Sequence, residues 1–153
     1  MFKEPWKEWE EDVAERIGGA LVKASGRTDM FKGDVKTDSL LIDAKYTGND
    51  GFSVSDSLWS TVSAWSRNEG REPVVAIRIE DDNGPVDIAV VTEQFYSERH
   101  PEFMPNDQLK RQKQKKVTRR MAGKKPTSFI VGGFRLIAYS FDAFVKDIRH
   151  EDR

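Results

Sequence analysis

Apolar residues recur at three- and four-residue steps through Trp6, Trp9, Val13, Ala14, Ile17 and Leu21, which predicts an amphipathic helix over residues 6–21. Pro5 suits its first turn, and Glu8, Glu10, Glu11 and Asp12 suit its N-terminal half. Gly18-Gly19 weakens or ends it, and residues 20–25 read as a short extended piece. Two strands are predicted at 32–36 and 40–46, joined by Thr37-Asp38-Ser39. Residues 52–55 are again extended. Ser55 or Asp56 caps a helix over 57–68 whose apolar stripe is Leu58, Val62 and Trp65. Strands follow at 73–79 and 86–92 around an Asp82-Asn83-Gly84-Pro85 turn, then a short helix at 93–98. After the breakers His100, Pro101 and Pro105, strands at 128–131 and 134–139 flank Gly132-Gly133, and 142–148 forms a last helix. The order of elements gives a mixed α/β class.

One charged pair breaks this pattern. Leu40-Leu41-Ile42-Asp43-Ala44-Lys45 reads as a buried strand, yet Asp43 and Lys45, two residues apart, share one of its faces. Alone, an Asp-x-Lys pair reads as a surface ion pair. Two neighbours change that reading. Asp34 opens the preceding extended segment. Glu10 lies three, four and seven residues before Val13, Ala14 and Ile17, on the apolar stripe of the first helix, where a carboxylate is costly unless paired or metal-bound. If that helix packs on the hairpin, Glu10 approaches Asp34 and Asp43. Hard oxygen ligands of this kind suit Mg2+. Asp34, Asp43 and Glu10, with the carbonyl of Ala44, form the expected metal set, and Lys45 is placed to orient a water or stabilise phosphate charge.

Composition narrows the partners. The formal net charge is only -1, but residues 108–126 hold nine Lys or Arg and no acid, which leaves 16 basic against 26 acidic residues elsewhere. Concentrated positive charge is the footprint of a polyanion site. Lys110, Arg111, Lys113, Lys115, Lys116, Arg119 and Arg120 are therefore expected to contact nucleic-acid phosphates, from a surface arm or a helix. Lys23, Ser25 and Arg27 are either further phosphate contacts or an ordinary polar loop, and Ser53 is a candidate contact to the DNA backbone. His100 and His150 are expected at the surface. The four tryptophans, all at helical positions, are expected in packing. There is no cysteine, so disulfides, thiolate metal sites and thiol nucleophiles are excluded. There is no membrane-length apolar run, no signal-peptide pattern and no phosphate-cradling glycine loop. The expectation is a cytoplasmic protein, in a bacterial cell or phage-infected host, with no nucleotide cofactor.

The order of these motifs resembles the PD-(D/E)XK nuclease superfamily, in its Holliday-junction-resolvase-like and phage endonuclease branch. The resemblance is carried by Trp9-Glu10 with Val13-Ala14, Ile17-Gly18-Gly19, Ala24-Ser25-Gly26, Gly33-Asp34-Val35 and Leu41-Ile42-Asp43-Ala44-Lys45-Tyr46. It continues in Phe52-Ser53 and Pro73-Val74-Val75-Ala76-Ile77. It implies a restriction-endonuclease-like α/β fold with a mixed central sheet flanked by helices. The implied domain spans residues 1–153, with a basic arm or insertion at about 106–127. Catalytic roles then fall to Glu10, Asp34, Asp43 and Lys45. The implied cofactor is Mg2+, the implied partner is branched DNA, and the implied assembly is a homodimer. The second acid is Asp where the family more often has Glu, and Gly33 stands where Pro is common. The implied activity is cleavage of four-way junctions. The alternatives are a recombination or repair nuclease acting on flaps, ends or single strands, and a non-catalytic DNA-binding module on the same fold.

Overall fold

In a computed structural model, which describes residues 3–22 and 34–149, the first helix, α1 (Pro5–Ile17), ends four residues before the periodicity does. Gly18 adopts a left-handed φ of 68°, and the Gly19 N–H returns to the Ala14 carbonyl at 2.9 Å. This glycine-dependent cap overrides the apolar Leu21. Ala20–Leu21 instead forms β1. Next come β2 (Val35–Lys36), β3 (Leu40–Thr47), β4 (Gly51–Ser55), α2 (Asp56–Asn68), β5 (Glu72–Asp81), β6 (Gly84–Thr92) and α3 (Glu93–Arg99). The chain closes with β7 (Arg111–Gln112), β8 (Gln114–Thr118), a 3-10 turn (Arg119–Ala122), β9 (Thr127–Val131), β10 (Phe134–Ser140) and α4 (Phe141–Arg149).

Eight strands form one mixed sheet in the order β1-β2-β3-β5-β6-β10-β9-β7. The β3–β5 and β7–β9 pairs are parallel and the rest antiparallel. The fold class is therefore α/β, a mixed central sheet flanked by helices. One core joins α1, α3 and α4 to the sheet through Trp9, Val13, Phe95, Phe141 and Phe144. Trp9 is fully buried and its indole N–H donates to the Ala76 carbonyl at 3.0 Å, which fixes α1 against β5. The opposite core joins α2 and the 3-10 turn to the other face, together with a separate two-stranded ribbon of β4 and β8. No helix among the described residues is long and apolar enough to cross a membrane.

Three expectations change. The basic segment is neither arm nor helix: β8 pairs antiparallel with β4, Ser53 opposite Lys116 and Val54 opposite Lys115. Val117 is fully buried in the second core, so the strand is held by an apolar anchor that outweighs the helix propensity of its lysines. On α2 the buried stripe is Trp59, Val62 and Ser66, one residue on from the expected Leu58, Val62 and Trp65. The expected cap is present, with the Ser55 hydroxyl accepting from the Leu58 N–H. His100 is not a simple surface residue. It stacks on Tyr96 at 4.0 Å and bonds Asp147 at 2.9 Å, and Asp147 also accepts from the Tyr139 hydroxyl.

Candidate active site

Asp34 is held by main chain on both sides. Its N–H donates to the Ile42 carbonyl at 2.9 Å, and its carbonyl accepts from Val22 at 3.0 Å. Its carboxylate is then oriented by the Ala44 N–H, which donates to Oδ2 at 2.8 Å. Residue 34 is thus tied to the middle of β3 through both backbone and side chain. Ala44 serves the site through this N–H, which aims Asp34.

On β3, Leu40, Ile42 and Ala44 face α1, while Asp43 and Lys45 point to the α2 side. Their parallel partners on β5 are Val75 and Ile77, members of the second core. Asp43 is only 1% exposed. Lys45 Nζ approaches Asp43 Oδ2 at 3.3 Å, but neither Asp43 oxygen accepts a hydrogen bond. The contact is an ion pair to one of the two oxygens. The other near neighbour is the Asp34 carboxylate, which can share a proton with Asp43 but has none to give when both are ionised. Burial, with the nearby Asp34, pushes Asp43 up from the ordinary carboxylate range to about 8, against the pull of Lys45.

Glu10 completes the group from α1. It is half-buried, and burial with the facing Asp34 pushes it up to about 7, while Lys7, three residues earlier, opposes the shift. The arrangement is a chain with Asp34 at its middle: Glu10 on one side, Asp43 on the other. Among the described residues no three His, Cys, Asp or Glu groups already converge as a finished metal cage. The donor chemistry nonetheless fits a hard divalent cation. Three carboxylates face one lysine, and two oxygens of a buried acid lack any donor.

The expected DNA contacts divide. Ser53, Lys110, Arg111, Lys113, Lys116 and Arg120 are exposed, and Lys115 is half-buried. Arg119 is committed inside the molecule, to Asp81 at 2.6 Å and to the Gly84 carbonyl, where it ties the 3-10 turn to the β5–β6 hairpin. Lys23, Ser25, Arg27 and His150 lie outside the described residues. Sequence reasoning passed over Lys7, although its three-residue spacing from Glu10 on a helix was legible. It also missed the β4–β8 pairing, for which the signal was the lone apolar Val117 in a polar alternation. A cleft of about 640 Å³ lies at the start of β3, lined by Gly18, Gly19, Lys36, Asp38 and Arg71, and includes none of the four site residues. Its cations are neutralised by Glu69, at 2.5 Å from Lys36 and 3.0 Å from Arg71.

No family model matches the chain, and no curated protein matches it. Among solved structures the chain is similar to Hjc, a Holliday junction resolvase from the archaeal hyperthermophile Archaeoglobus fulgidus. The likeness has a TM-score of 0.39 and 14% identity, and covers 52% of this chain and 72% of that one. A superposition this loose fixes neither family nor activity.

Proposed function

We propose that the chain is a divalent-metal-dependent endodeoxyribonuclease. The observation that supports this reading is Asp43: a buried carboxylate with two undonated oxygens, beside a second and third acid and a single lysine. A protein built only to bind DNA has no need to hold such a group in its sheet.

Asp34, Asp43 and Glu10 are the residues that would hold Mg2+ or Mn2+. When bound, the ion supplies charge neutralisation at the phosphate and a more acidic water. The chain's own contribution is positional. The Ala44 N–H and the strand ladder keep Asp34 in one orientation. Lys45 is one-third exposed and stands beside Asp43, where its ammonium can donate to a phosphate oxygen or align the attacking water. Without a cation, burial and the facing Asp34 hold the Glu10 carboxyl at about 7, and a bound divalent ion would favour its ionised form.

Four-way junction DNA is the proposed substrate, on the resemblance of the motif order to junction resolvases. Two symmetric cuts in such a junction suit a homodimer. The test is incubation of matched four-way, flap, linear and single-stranded DNAs with Mg2+, Mn2+ or EDTA. Metal-dependent scission that is fastest on the junction is expected. Scission fastest on flaps or ends would move the substrate without moving the chemistry. No scission of any DNA would sink the nuclease reading and leave a DNA-binding module on this fold.

A further inference from the structure

Positive charge is treated differently in two parts of the molecule. Arg16, Arg71, Arg78 and Arg135 each pair with a carboxylate. Of the nine cations in residues 108–126, only Lys116 and Arg119 do so among the described residues. The other seven make no ion pair, although Arg111, Lys113 and Lys115 sit on or beside ordered strands. Self-repulsion of this kind is unfavourable unless a polyanion relieves it.

The β4–β8 ribbon sits among them. Its inward side is anchored by Val54 and Val117, both fully buried. Its outward side pairs Ser53 with Lys116 and Ser55 with Gln114, and Ser53, Gln114 and Lys116 are exposed. This face offers a hydroxyl and an amide, with the Lys116 ammonium beside them paired to Asp50 at 2.8 Å. Five paired residues span about 17 Å, and a two-stranded ribbon is narrow enough for a major groove about 12 Å wide.

The ribbon is also pinned. The Asp56 N–H donates to the Lys113 carbonyl, and the Gly132 N–H to the Gln112 carbonyl, each at 2.8 Å. Gly132 has a φ of 58°, and a Cβ there would meet the Asp56 carboxyl at 2.4 Å, so only glycine lets these three segments close together. Finally, Val54 and Val117 share a core with Val75 and Ile77, the β5 partners of Asp43 and Lys45. The ribbon stands on the sheet face to which those two residues point.

We infer that the β4–β8 ribbon docks into a groove of double-stranded DNA, with Ser53 and Gln114 at base edges and the flanking unpaired cations on the phosphates to either side. The choice of DNA as the polyanion rests on the nuclease reading; the ribbon's role is tested without cleavage. Binding is measured on the Asp43→Asn background in EDTA, with a linear duplex and with its separated strand. Ser53→Ala with Gln114→Ala is expected to lower duplex affinity about tenfold, leave the salt dependence unchanged and barely alter single-strand affinity. Arg111→Ala with Lys113→Ala is expected to flatten the logarithmic salt slope by about 2. An unchanged duplex affinity in the neutral pair, or equal losses on duplex and single strand, overturns the groove assignment.

A second measurement does not depend on weakened binding. The chain has no cysteine, so Ser53→Cys carries a photo-crosslinker at that position alone. Crosslinking to duplex in clear excess over single strand is expected, and a failure to crosslink duplex overturns the proposal. Failure of the nuclease reading shows separately, as absence of metal-dependent scission by the unmodified protein.

Discussion

Helix α1 carries charge into two clusters, and they are balanced in opposite ways. On one side Asp12 and Arg16 join Arg78, Asp87 and Asp142. Arg78 donates to both Asp87 oxygens at 2.8 and 2.9 Å and to Asp12 at 2.8 Å. Arg16 reaches Asp87 at 3.1 Å and also pairs with Asp142. Arg78 also lies over the Trp9 ring at 4.5 Å. Three acids there meet two planar guanidinium forks, the geometry that answers carboxylates best. On the other side lie Glu10, Asp34 and Asp43, where Lys45 forms an ion pair with Asp43 alone and Lys7 acts on Glu10 only through its charge. The same helix and sheet that satisfy those carboxylates leave Asp43 in deficit, with no donor to either of its oxygens. That contrast is what supports the metal site proposed above.

The largest effect that separates the clusters is on activity. Asp43→Asn is expected to reduce metal-dependent DNA cleavage to background while the variant still binds DNA in EDTA. Full activity in that variant would end the metal-site hypothesis. The two clusters should also respond with opposite sign in stability. Arg78→Ala leaves Asp12 and Asp87 short of a partner, and is expected to cost about 2–3 kcal/mol in urea denaturation, allowing for its partial exposure. Asp43→Asn in EDTA removes a buried carboxyl whose ionisation the fold opposes, and is expected to leave stability at neutral pH unchanged or raise it. A loss in Asp43→Asn as large as in Arg78→Ala would show that Lys45 satisfies the aspartate after all.

Much of this site is legible in the amino-acid sequence. The strand at residues 40–46 follows from its apolar run, and period two puts Asp43 and Lys45 on one face. Glu10 stands out because helical spacing places an acid beside an apolar stripe. The Ala44–Asp34 bond is out of reach, because it depends on the β2–β3 register, and no residue in the hairpin turn dictates one. The helix end is ambiguous because periodicity and Gly18-Gly19 disagree, and the left-handed glycine cap prevails. The basic segment misleads for a different reason. Lys, Arg and Gln favour a helix by local propensity, whereas β8 exists through pairing with β4, about sixty residues earlier, and through one buried valine. On α2, Leu58 and Trp65 look as apolar as Trp59, and only the sheet decides which side of a helix is covered.

The deficit should also be visible as a pH dependence. Asp43 is raised to about 8 and Glu10 to about 7 in the folded chain. Each therefore holds its proton more tightly when folded than when unfolded. Their contribution to stability is fully present below about pH 4 and is lost as pH rises toward 8. In EDTA the melting temperature is expected to fall between pH 5.5 and 8, and Asp43→Asn to remove most of that fall. Excess Mg2+ should also oppose it, since the ion favours the ionised carboxylates. An Arg78→Ala variant should keep the wild-type slope, because it leaves Glu10, Asp34 and Asp43 in place. A slope unchanged by Asp43→Asn would assign it to other groups and weaken the contrast between the clusters.

The finest distinction lies among the cations. Arg119 and Lys113 are only a few residues apart in the basic segment, but Arg119 is matched by Asp81 and the Gly84 carbonyl while Lys113 makes no ion pair. Arg119→Ala is expected to lower the melting temperature slightly, by loosening the 3-10 turn from the β5–β6 hairpin, and to leave the salt slope of DNA binding unchanged. Lys113→Ala is expected to do the reverse: the same melting temperature, and a slope smaller by about 0.9, one phosphate contact. The pair separates charge that holds the protein together from charge that waits for a ligand. If both variants flatten the slope equally, Arg119 leaves Asp81 when DNA arrives, and matched and unmatched cations are not separate classes in this segment.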